Sequence, residues 1–229
     1  MTGPASTRET IDARTGGLQA GLPRNGRQRV MIEAVQPVLD GGAYAVKRVV
    51  GDRVTVSADL IVDGHDLVAG ELLVRRPSAP DDARAELTLA LQPLDNDRFA
   101  ASFVVDIPGR HEFALRAWVD HFSSYRRGLS RKVEAGQDVD VDLLVGAELA
   151  AAAAARAHGP ERGTLQAAAF ALGDRSAPAR ERVRRALSPE LAALIAGYPD
   201  RENAASTAWL PIWVDRERAR FSAWYEMFP

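Results

Sequence analysis

The pattern of apolar and polar positions changes its period twice along this chain. Residues 1–29 mix Gly, Pro, Thr, Arg and Asn with scarcely any periodic apolar position, too little apolar surface to offset the entropy of ordering, and predict a loose tail. From Val30 the period is two. In Arg53-Val-Thr-Val-Ser-Ala-Asp-Leu60 the even positions are apolar and the odd ones polar, which gives a strand one buried and one wet face. The same alternation, with odd positions inward, returns over 86–91, 99–107 and 111–119. Asp63-Gly64, Asn96-Asp97, Pro108-Gly109 and Gly128 supply turn signals between these runs. About seven short strands over residues 30–137, with no helical period among them, predict a β-sandwich of immunoglobulin-like type.

At Gly136 the grammar turns helical. Asp138, Asp140 and Asp142 precede an apolar run and the alanines of 150–155, and carboxylates ahead of a helix favour its amino-terminal end through capping and the dipole. Gly159-Pro160 stops that helix. A second is predicted over 165–172 before Gly173, a third behind Ser176 with Pro178 in its first turn, and a fourth from Ser188-Pro189, a cap residue followed by proline. The expected fold class is therefore mainly β, an immunoglobulin-like sandwich with an inserted α-helical bundle of about four helices over 138–200. A return strand follows within 201–221, at 209–214. Residues 222–229 end on the apolar run Phe221 to Phe228, interrupted by Glu226 alone, which reads as a buried strand without its partners.

Composition narrows the class. The 229 residues are 46% hydrophobic, enough for a sizeable core, and 29 basic against 31 acidic residues give a net charge of −2. That balance carries no broad electrostatic footprint for nucleic acid or an anionic membrane, so neither is expected as a partner. No stretch approaches the ~20 apolar residues of a membrane span. Zero cysteines exclude disulfides and thiol chemistry and fit a reducing compartment, so the cytoplasm is expected.

Candidate chemistry is sparse. Asp63-Gly64-His65-Asp66 could be drawn as metal ligands, but Asp-Gly between strand patterns makes a turn. Asp138, Asp140 and Asp142 run into Leu143 and Leu144 where a calcium loop needs glycine and further oxygens, so helix capping is the better reading. His65, His111, His121 and His158 fall in four unrelated segments and support no triad. No metal, cofactor or catalytic residue is expected. Trp118, on the opposite parity from Phe113, Leu115 and Val119, forms with Phe122 and Tyr125 a weak candidate for glycan stacking; the plainer reading packs Trp118 beneath the helices or a neighbouring domain. Arg126-Arg127 with Arg131-Lys132 reads as a solvated strand edge.

Several segments carry a family resemblance. Pro37…Gly41-Gly42…Val46-Lys47-Arg48-Val49-Val50-Gly51, Asp63-Gly64-His65-Asp66, Asn96-Asp97-Arg98-Phe99, Ala117-Trp118-Val119-Asp120, Val133-Glu-Ala-Gly-Gln-Asp138 and Trp213-Val-Asp-Arg-Glu-Arg-Ala-Arg-Phe221 resemble the amino-terminal region of GlgE-type α-1,4-glucan:maltose-1-phosphate maltosyltransferases. Phe99 departs from an expected tryptophan but keeps aromatic bulk. Trp224-Tyr225-Glu226-Met227-Phe228-Pro229 resembles the first barrel strand of the α-amylase superfamily. The resemblance implies a sandwich with a helical insert ahead of a (β/α)₈ catalytic barrel that begins at 222–229, a homodimer in which this region takes part, and a retaining transfer of maltosyl units from α-maltose 1-phosphate to α-1,4-glucan. It implies catalytic carboxylates on the barrel, so Asp215 and Glu226 are not assigned that role. The expected function is non-catalytic, in dimerisation and barrel support. An independent α-glucan-binding module, motivated by Trp118, Phe122 and Tyr125, is the alternative.

Overall fold

A computed structural model of the chain describes residues 26–77 and 87–221. The expected tail up to residue 25 and the closing strand over 222–229 lie outside the described residues. The strands are β1 (Val30–Gln36), β2 (Val46–Val49), β3 (Arg53–Val62), β4 (Leu67–Arg75), β5 (Leu87–Ala90), β6 (Gln92–Pro93), β7 (Arg98–Val104), β8 (Gly109–Asp120), β9 (Ala205–Ser206) and β10 (Leu210–Asp215). One sheet has the order β1-β3-β7-β6; the other runs β2-β10-β8-β4-β5, with β9 also on β8. All pairs are antiparallel except β2 with β10.

The two sheets share one core, and the predicted alternation builds it. Val54, Val56, Ala58 and Leu60 point inward from β3 and meet Phe113, Leu115 and Ala117 of β8, all of them buried. Each large apolar side chain so enclosed contributes roughly 1.5–3 kcal/mol relative to exposure. Asp63-Gly64 is a turn, with Gly64 in the left-handed region at φ 81°, and Asn96 and Asp97 adopt φ 54° and 59° in another. The chain passes from the larger sheet to the smaller at Leu91, whose N–H donates to the Gly70 carbonyl at 2.8 Å. A Cβ on Gly70 would stand 2.8 Å from Leu91 Cδ1 and 3.0 Å from Leu60 Cδ1, so this corner closes only over glycine.

Five helices occur among the described residues: α1 (His121–Glu134), α2 (Asp140–Arg156), α3 (Gly159–Gly173), α4 (Ala179–Ala186) and α5 (Pro189–Ala196). Four correspond to the predicted helices, but α3 begins at Gly159, with Pro160 in its first turn, six residues before the predicted start at 165. Asp138 Oδ1 accepts from Asp140 N at 3.0 Å, Asp140 and Asp142 occupy the first turn of α2, and Ser188 caps α5 through Leu191 N at 3.2 Å. Ala150, Ala153 and Ala154 of α2 let it lie close against Leu165, Ala168 and Leu172 of α3 in a second core.

The first helix corrects the sequence reading. The first run of strands ends at Asp120, not near 137, and Arg126, Arg127, Arg131 and Lys132 sit on a helix rather than a strand edge, with Gly128 inside it. Asp120 Oδ1 accepts from Ser123 N at 2.9 Å and so caps α1 directly off the end of β8. Phe122, Tyr125 and Leu129, three and four residues apart, form the stripe it turns to the helical core. With α1 added, helix and strand take near-equal shares and the chain is mixed rather than mainly β.

Candidate functional site at the junction of sheet and helices

The face of β4 and β8 turned away from the sheet core is where the helices join the strands. Leu72 and Val74 face the core from β4, so Glu71, Leu73 and Arg75 face outward; Phe113, Leu115 and Ala117 do likewise on β8, leaving Glu112, Ala114, Arg116 and Trp118 outward. Antiparallel register sets Glu71 opposite Arg116, Arg75 opposite Glu112 and Ala69 opposite Trp118. Opposite charges therefore meet across the strands.

Two arginine–carboxylate–tryptophan clusters result. Glu71, its side chain 6% exposed, takes Arg201 Nη2 at 2.7 Å and Arg116 Nη1 at 3.3 Å, and the Arg201 guanidinium lies 4.9 Å from the centroid of the Trp118 ring. Glu112, equally covered, takes Arg75 Nη2 at 2.6 Å and Arg110 Nη2 at 2.6 Å, and the Arg75 guanidinium lies 4.1 Å over the ring of Trp209. Arg201 and Trp209 both belong to the segment between α5 and β10. Thr207 adds a backbone pair to that tie, donating its N–H to the Leu115 carbonyl while its Oγ1 accepts from Leu115 N, each at 3.0 Å. Both carboxylates are saturated by guanidinium donors, and the arrangement fastens the returning chain to the sheet rather than leaving an acid or base poised for proton transfer.

Beside this tie lies a hollow of about 960 Å³, walled by Asp66, Asp97, Trp118, Asp120, Arg127 and Arg131 among others. The three aromatic candidates do not form one open face on it. Trp118 is buried with its ring under Arg201, Phe122 is buried in the helical core, and Tyr125 packs on Phe122 with centroids 5.6 Å apart and rings tilted by 37°. Asp63 and Asp66 both pair with Arg29, at 2.8 and 2.7 Å. Asp140 and Asp142 pair with Arg182 and Lys132. Among the described residues no three His or carboxylate side chains group to hold a metal ion. Sequence reasoning missed Glu71, Arg75 and Glu112, whose only early signal was charge within apolar runs, and Arg201, which lies in the polar stretch Asp200-Arg201-Glu202-Asn203 and carried no signal.

Tyr125 is the one junction residue whose titration is displaced far. Burial pushes its phenol up to about 12, with Asp142 adding to the rise and Arg182 opposing it. The folded state thus holds its proton where an unfolded tyrosine, near 10, has lost it. The stabilisation is fully present below pH 10 and is lost as pH rises from 10 to 12. Alkaline absorbance titration should show a late tyrosinate step that is missing in Tyr125→Phe; a wild-type curve without that step removes the assignment.

The comparisons with known proteins follow the same body. The family profile described as alpha-1,4-glucan:maltose-1-phosphate maltosyltransferase, domain N/S, matches residues 28–216. The alpha-1,4-glucan:maltose-1-phosphate maltosyltransferase of Chlorobaculum tepidum is 42% identical over 210 residues, 90% of this chain and 30% of that protein. Its namesake in Myxococcus xanthus is 42% identical over 207 residues (87% and 30%), and that of Mycobacterium tuberculosis H37Rv 38% identical over 224 residues (88% and 32%). The chain spans about 30% of the length of these curated relatives. The matched stretch takes in every strand and helix described above, and the chain belongs to the GlgE domain N/S family.

Proposed function

We propose that this chain is the amino-terminal, non-catalytic part of an α-1,4-glucan:maltose-1-phosphate maltosyltransferase, supporting a catalytic domain and taking part in a homodimer. Coverage carries the reading: relatives of that name match 87% to 90% of this chain but only 30% to 32% of their own length. The saturated carboxylates at the junction support a structural rather than catalytic role. Val141 on α2 and Phe170 on α3, 70% and 78% exposed, support contact with a further protein surface. Two sheets around one core support an immunoglobulin-like sandwich for the strand-built part. No described helix is long and apolar enough to cross a membrane, and we place the protein in the cytoplasm on its lack of cysteine.

Two measurements test this. Incubated with maltose 1-phosphate and glycogen, the chain alone should release no phosphate; release would overturn the non-catalytic assignment. Sedimentation equilibrium should return twice the mass of the single chain, and a monomer mass throughout the concentration series would overturn the dimer.

A further inference from the structure

The helix α4, Ala179-Arg-Glu-Arg-Val-Arg-Arg-Ala186, carries charge that the junction does not use. Beside it is a hollow of about 370 Å³, walled by Ala171 of α3 and by Glu181, Arg182, Arg184, Arg185 and Ser188. Arg182 is 2% exposed, a rare placement for a guanidinium. Its Nε donates to the Leu172 carbonyl at 2.8 Å and its Nη1 to Asp140 Oδ1 at 2.9 Å. Nη2 is buried and has no acceptor among the described residues. An unsatisfied donor of this kind costs about 1–3 kcal/mol, so a native protein places an acceptor near it.

The rest of the wall indicates what the acceptor is. Arg184 and Arg185, in the last turn of α4, are exposed and have no carboxylate within 4.0 Å among the described residues. Glu181 shares the wall with three guanidiniums, Asp140 pairs with Arg182 and Asp174 also feels the Arg182 charge, so Arg184 and Arg185 are the two that keep no ion pair among the described residues. Ser188 Oγ accepts from Leu191 N, which leaves its O–H free to donate. The polar side chains of this wall other than Glu181 all carry donors. Planar forks of N–H groups match the oxygens of phosphate, which a single chloride or water would leave largely unbonded. The volume exceeds what a bare phosphate fills and falls in the range of small-molecule sites.

We propose that this hollow is a binding site for a phosphate dianion, free or carried as a monoester on a small organic body. Arg184 and Arg185 grip its oxygens from the solvent side and Arg182 Nη2 meets it from beneath.

The chain should be titrated at low salt with inorganic phosphate and, separately, with glucose 6-phosphate, following backbone amides and the thermal midpoint, with sodium chloride at matched ionic strength as reference. Saturable shifts confined to residues about α4 and a raised midpoint are expected with at least one phosphate probe. Because Arg184 and Arg185 are exposed, Arg184→Gln/Arg185→Gln should keep the ligand-free midpoint while weakening binding at least about tenfold, the loss of one charge-assisted hydrogen bond. Tighter binding of glucose 6-phosphate assigns the site to a monoester, and equal binding to the free anion. Shifts that fail to saturate with both probes, or that match those of chloride, overturn the proposal, as does a double variant that binds like the parent.

Discussion

Gly146→Ala should lower the thermal midpoint by about 2–4 °C, the shift that roughly 1 kcal/mol of net destabilisation produces in a chain of this size. Helix propensity alone gives the opposite sign. Gly146 lies inside α2, where alanine is favoured over glycine by about 1 kcal/mol. Packing reverses it, because a Cβ at that position would stand 2.5 Å from Tyr125 Cζ and 2.9 Å from Cε1, and nearer still to the hydroxyl. The ring cannot swing aside freely, since it packs against Phe122, which is itself fixed in the helical core. Overpacking of this severity costs about 1–3 kcal/mol, and the strain extends to α1, the helix that joins the bundle to β8. The diagnostic comparison is the same change in a Tyr125→Ala background. There the space is open, the propensity term stands alone, and Gly146→Ala should raise the midpoint. If Gly146→Ala raises the midpoint in the parent chain as well, the Tyr125 contact does not constrain α2.

The strands that the sequence made legible are those with one wet face. β3 keeps its alternation because Val54, Val56 and Ala58 are buried while Arg53 and Thr55 are exposed. β4 shows no such contrast. Glu71, Leu72, Leu73, Val74 and Arg75 are all buried, because the outer face is covered, Glu71 being met there by arginines from β8 and from the segment after α5 and Arg75 by Glu112 of β8. Period two fades wherever both faces of a strand are covered. α1 was missed for a different reason: it starts on the residue after β8, and its paired arginines read equally well as a guarded strand edge. Its signals were Asp120 as cap and Phe122, Tyr125 and Leu129 at helical spacing. The junction itself could not be read from one sequence, since Glu71 and Arg201 are 130 residues apart and only the folded register makes them neighbours. The parity of Trp118 was legible and the cation that covers its ring was not.

Glu112→Gln should be the most damaging single change at the junction, by about 3–5 kcal/mol. The two guanidiniums that share this carboxylate differ in what they can do without it. Arg110 has a side chain 61% exposed and can turn its charge to water; Arg75, 10% exposed and stacked on Trp209, cannot. Neutralising Glu112 therefore takes from a covered guanidinium the carboxylate it meets at 2.6 Å, and the cost of keeping Arg75 desolvated falls more heavily on the folded state. Removing Arg75 alone is damaging for the converse reason, since Glu112 then keeps only the exposed Arg110. Removing both charges is different. Glu112→Leu with Arg75→Met fills the same space with apolar groups, and the methionine sulfur can still lie against the Trp209 ring. Urea unfolding should show the double variant losing less stability than either single change, with a coupling of several kcal/mol. Trp209 leads directly into β10, which pairs with both β8 and β2. In the single variants the loosened clamp should expose its indole and shift tryptophan emission to the red before the main transition. Single and double variants whose losses add, with no early emission change, would mean that Arg75 and Glu112 do not hold the returning segment in place.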